Sequence, residues 1–136
     1  MHLPPSLISL GGAPVDDLSR VAQVSERSDH PLLLRGLDQV PLDAVRVPSV
    51  FNDDVYLLAA GQHTLWLMSM PYGHPLVPQK IRCYVIEATL EAGTRYRLEE
   101  GAGKQAFLSR DDTGVRVALG RLVDERWVFS GSCRWQ

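Results

Sequence analysis

The chain has 136 residues, of which 45% are hydrophobic, with Lys+Arg 14 against Asp+Glu 16 and a formal charge of -2 at pH 7. That length suits one domain able to bury roughly two thirds of its unfolded surface in its own core. The scattered basic residues exclude the clustered Lys/Arg surface that nucleic-acid binding needs, and no apolar run approaches the roughly 20 residues of a membrane-spanning helix.

The N-terminus, Met1-His2-Leu3-Pro4-Pro5, lacks the basic head and apolar stretch of an export signal. The chain is then either cytoplasmic or has lost its signal; the second reading is preferred here. Residues 1–13 read as a leader rich in Pro, Gly and Ser with an apolar patch at Leu7-Ile8-Ser9-Leu10. Pro14 suits the first turn of a helix, Asp16 and Asp17 suit its positive end, and Leu18, Val21, Ala22 and Ser25 share one face. This pattern predicts a short amphipathic helix near 14–27, broken by Asp29-His30-Pro31 because a residue before proline leaves helical geometry. Residues 32–34 and 36–40 look like two short strands around a turn, and Pro41 and Pro48 confine the next segment to edges and loops.

The pattern then becomes regular. Residues 54–59 and 63–70 read as strands around Ala60-Gly61-Gln62, and 80–90 and 95–99 as strands around Glu91-Ala92-Gly93. Each block is a hairpin or a sharp β-corner. The intervening 71–79 holds three prolines and a glycine and is a loop. Residues 106–110 and 115–119 flank the turn Asp111-Asp112-Thr113-Gly114, and 126–130 forms a last strand. The expectation is a mainly β chain: an antiparallel β-sandwich of about 7–8 strands over 14–136 with one short N-terminal helix.

From the residues alone, Cys83 and Cys133 have two readings. A bridge closing about 50 residues stabilises by roughly 4 kcal/mol in the chain-entropy model. Two buried free thiols acting as small hydrophobes fit a cytosolic protein equally well. They are too few and too far apart for a zinc site.

Ala60-Gly61-Gln62-His63-Thr64-Leu65 followed by Leu90-Glu91-Ala92-Gly93-Thr94-Arg95-Tyr96-Arg97-Leu98 resembles the PGxHTLxV…AEAGxxYxL pattern of small bacterial lipoproteins and periplasmic proteins of uncharacterised function. The stretch from Leu10-Gly11-Gly12 through Val21, ahead of a hairpin bearing Gly36, is similar to the segment leading into their β domain. The likeness spans roughly residues 9–133. Ala60 stands where proline is usual, and the signal and lipid-bearing cysteine of those proteins are missing. The resemblance implies a periplasmic or envelope-associated β-sandwich, a Cys83–Cys133 disulfide and a possible lipid anchor in the native precursor. It supplies no catalytic residue and no cofactor.

Alternation along 63–70 places His63, Leu65, Leu67 and Ser69 on one face and Thr64, Trp66, Met68 and Met70 on the other. Both faces are apolar, as in a central strand covered on two sides by the helix or the leader. The sharper reading is a partly exposed patch of Trp66, Met68 and Met70, with Tyr72 and His74 in the following loop, that holds a protein partner.

Catalytic signals are weak. His2, His30, His63 and His74 share no metal-ligand spacing, the serines include no nucleophile elbow, and Gly101-Ala102-Gly103-Lys104 lacks the spacing of a phosphate loop. His63 reads as a residue that caps or packs its turn. The expected function is therefore non-enzymatic: a binding or structural protein, of inhibitor or immunity type in its most specific form, with an unknown protein partner and no nucleic acid. The rival is a small ligand-binding or hydrolytic domain using His74 and Asp111.

Overall fold

The computed structural model describes residues 4–26, 32–42, 52–69, 77–128 and 133–135. Its strands are β1 (Ser6–Ser9), β2 (Val21–Glu26), β3 (Leu32–Leu37), β4 (Val40–Pro41), β5 (Asp54–Ala59), β6 (Gly61–Ser69), β7 (Gln79–Leu90), β8 (Arg95–Gly101), β9 (Gln105–Arg110) and β10 (Arg116–Val128). The mainly β expectation holds. All ten belong to one sheet in the order β1-β5-β2-β8-β9-β10-β7-β6-β3-β4, where two separate sheets were expected. Nor is the pairing wholly antiparallel, since β1 runs parallel to β5 and β2 parallel to β8.

The sheet curls until its two wings share a core. Val24, Tyr56 and Leu98 from the β5-β2-β8-β9 wing pack in one cluster with Leu34, Leu67 and Tyr84 from the β7-β6-β3 wing. Strand β10 joins the wings: Gly120 and the residues before it pair with β9, and Arg121 to Val128 pair with β7. Truncating a fully buried member such as Leu67 to alanine costs about 2–5 kcal/mol.

Both glycine blocks turn out to be corners. β5 pairs with β1 and β2, whereas β6, one residue later, pairs with β3 and β7. The chain crosses between wings at Ala60 and Gly61, whose φ of 127° suits glycine. It crosses back between β7 and β8 at Gly93, where φ is 75° and a Cβ would lie 3.3 Å from the Ser19 carbonyl.

Four expectations are corrected. The helix expected near 14–27 is absent among the described residues, which run to Glu26: a single 3-10 turn at Leu18–Arg20, capped by Asp17, leads into β2. Every residue of β2 is buried because both faces are covered, so the strand lacks the alternation that would distinguish it from a helix. The leader contributes β1 to the sheet edge, and Ala13 packs with Val21, Val55 and Leu57 on the outer side. Residues 32–34 and 36–40 are not two strands on either side of a turn: Leu32–Leu37 runs on as the single strand β3, with Gly36 under the Trp66 ring, and the turn falls later, at Asp38 and Gln39, both at positive φ. Finally, 115–119 and the described part of 126–130, through Val128, are not separate strands. Gly120 continues β10 because its missing Cβ admits Ile86, whose Cγ1 would stand 2.8 Å away. The residues after it, through Val128, pair with β7.

Candidate functional site

On the outer face of the β3-β6-β7-β10 wing, register aligns Gly36, Trp66, Val85 and Arg121 in one row and Leu33, Met68, Cys83 and Asp124 in the next. Residues 133–135 lie across these rows as a strap. Cys133 is bonded to Cys83, Cα to Cα 5.9 Å, and Trp135 stacks on Trp66 with ring centroids 5.2 Å apart and planes 4° from parallel. The Arg134 backbone N–H donates to Asp124 Oδ2 at 2.9 Å. Leu33, Met68, Ile81 and Cys83 thus form a second small core roofed by Cys133 and Trp135.

This arrangement decides where the sequence-proposed patch falls. Trp66 and Met68 are only 6% and 4% exposed, covered by the chain's own C-terminal segment and not by the helix or the leader. Met70, Tyr72 and His74 lie outside the described residues. The covering segment went unread because a short strap needs no hydrophobic periodicity; its one signal was the pairing of Cys133 with Cys83.

Beside the strap, Arg121, Leu122, Val123, Asp124, Arg126, Arg134 and Trp135 line a cleft of about 600 Å³. Arg126 Nη2 donates to Asp124 Oδ2 at 2.6 Å. Burial pushes the Asp124 pKa up, but the Arg134 N–H and the Arg126 guanidinium outweigh it and hold the carboxyl below its usual range. Asp124 therefore stays ionised, tying the strap to β10 and fixing the Arg126 side chain. Arg126 Nε and Trp135 Nε1 are buried with no hydrogen-bond partner among the described residues. None of these residues stood out in the sequence, because the cleft exists only once the strap is fastened.

Several other charged groups are internally matched. Glu125 accepts from Lys104 Nζ at 3.0 Å, Arg82 Nε at 3.0 Å and Lys80 Nζ at 3.2 Å. Lys104, ahead of the other two cations, pulls its pKa down to about 2. In the same group Tyr84 donates to Glu100 at 2.5 Å, and burial followed by this carboxylate pushes the phenol well above its ordinary value. A smaller cleft of about 240 Å³ holds Ser25, Asp53, Arg95, Arg97 and Asp111, where Arg97 reaches Glu99 at 3.0 Å and Asp111 at 3.8 Å. Asp112 forms a two-pronged contact with Arg110 in its turn. His63 has its Nδ1 2.7 Å from Asp38 Oδ2 and its Nε2 2.6 Å from the Ala59 carbonyl; it ties the β3–β4 turn to the β5–β6 corner. Among the described residues no group of three or more His, Cys, Asp or Glu side chains is placed to hold a metal.

The outward side of β10 also carries bare apolar surface. Leu119 lies opposite Phe107 of β9 and is 61% exposed, with Val117 on the same side at 44%. Arg116 covers Phe107, its guanidinium carbon 3.7 Å from the ring centre.

Protein-family models, curated proteins and solved structures give no match to the chain.

Proposed function

We propose that this is a non-enzymatic binding protein of the periplasm or cell envelope that works through protein–protein contacts, in the manner of an inhibitor or immunity-type protein. The outer face of β10 carries the reading. Val117 and Leu119 present apolar side chains to solvent, and the arginine-lined cleft begins two residues farther along the same strand. Exposed apolar groups beside arginines and a tryptophan are the composition of a recognition surface. The compartment is supported by the Cys83–Cys133 bridge, since structural disulfides persist where the surroundings are oxidising. Among the described residues no helix is long and apolar enough to cross a membrane.

The test is site-specific photo-crosslinking in cells that make the protein natively. A photoreactive residue at Leu119 should give a discrete adduct, and one at Val40, exposed on β4 at the far edge of the sheet, should give none. No adduct from Leu119, or equal adducts from both positions, overturns the proposal.

A further inference from the structure

We infer that the cleft between β10 and the C-terminal strap recognises an acidic segment of the protein partner, carboxylate side chains docking on Arg121, Arg126 and Arg134. This rests on the reading of the β10 face as a binding surface and specifies the chemistry of what binds there.

Charge complementarity is the first support. The lining residues include three arginines and one aspartate, an excess of positive charge on a chain whose formal charge is -2. Several cations elsewhere meet carboxylates, Lys80, Arg82 and Lys104 around Glu125, Arg97 on Glu99 and Arg110 on Asp112, while Arg95 bonds Gln23 and Arg116 covers Phe107. In the cleft Asp124 binds the Arg126 side chain and accepts from the Arg134 backbone, the Arg134 charge acting on it only at longer range. Arg121 and Arg134 form no ion pair among the described residues and are exposed. A guanidinium presents a planar fork of donors that matches a carboxylate, so exposed, unpaired arginines are suited to acidic side chains.

The second support is independent of net charge. Arg126 Nε and Trp135 Nε1 are buried N–H donors without acceptors among the described residues, and both belong to residues lining the cleft. Buried donors are normally paired, and an anionic segment brings acceptors. Leu119, two residues before Arg121 and exposed on the same strand, adds an apolar contact beside the cations. A peptide chain, which carries both acidic and apolar side chains, fits that combination better than a free inorganic anion.

The probe is a hexaglutamate peptide titrated into the full chain by calorimetry at low salt. Saturable binding is expected, weakened at least about tenfold in Arg121→Gln/Arg134→Gln, with far-UV circular dichroism confirming that this variant keeps the fold. Lys104→Gln, which alters the paired cluster around Glu125, should bind as the parent does. Three results overturn the inference: no saturable binding, an equal loss in Lys104→Gln, or displacement of the peptide by inorganic phosphate at equal concentration, which would mark a site for a small free oxyanion. A Leu119 crosslink without hexaglutamate binding leaves the binding-protein reading standing and removes this one; peptide binding without a crosslink removes the protein partner, and with it this inference, and leaves only the cleft's affinity for carboxylates.

Discussion

Removing the bridge with Cys83→Ala/Cys133→Ala should both destabilise the fold and lift the strap. The bridge closes a loop with a sequence separation of 50, for which the chain-entropy relation gives about 4 kcal/mol at 25 °C. Alanine avoids burying a hydroxyl at Cys83, which is fully buried. The stacked Trp66–Trp135 pair adds about 0.5–1.5 kcal/mol that is lost if the strap detaches. Urea unfolding followed by circular dichroism measures the first effect. The second is read by acrylamide quenching in a Trp127→Phe background, because Trp127 is 66% exposed and would mask the signal; quenching of the remaining tryptophans should rise. A loss below about 1 kcal/mol, with quenching unchanged, would refute the idea that the bridge is what fastens the strap over Trp66.

Gly36→Val should destabilise by about 1–3 kcal/mol by overpacking, since a Cβ there would stand 2.4 Å from Trp66 Cε3; a neutral result in thermal melts would show that the ring has room to move. Asp38→Ala removes the acceptor for the Thr64 N–H at 2.9 Å and for His63 Nδ1, and should lower stability by about 1–3 kcal/mol, with faster amide exchange at Thr64 by NMR; unchanged exchange would sink it. Glu125 is held at a pKa of about 2 when folded against its ordinary 4.5. Its contribution is therefore complete above pH 4.5 and lost as pH falls toward 2. The stability gap between the parent and Glu125→Gln should narrow over that window, and a gap that stays constant or widens on acidification would contradict the assignment.

The corners were legible because glycine marks them: Gly61 and Gly93 occupy positive φ, which few other residues adopt. Their use as crossings between wings was not, because a corner and a hairpin share the same local signature and differ only in which strands they pair with. β2 was misread for the opposite reason. Its two covered faces remove the polar alternation of a strand, and Leu18, Val21, Ala22 and Ser25 happen to fit a helical period. Gly120 and Gly36 serve close approach to Ile86 and Trp66, a role that depends on partners far along the chain. The arginine cleft is the extreme case: Arg121 and Arg126 lie on β10, Arg134 on the strap, and a distant bond at Cys83 holds the strap against the sheet.

Non-reducing mass analysis of the protein taken from its native cells, with peptide mapping of Cys83 and Cys133, tests most directly whether the strap is fastened in an oxidising compartment. A Cys83–Cys133 linked peptide in nearly all molecules is the expected result. Two free thiols in protein alkylated at the moment of lysis would contradict both the bridged strap and the placement outside the cytoplasm.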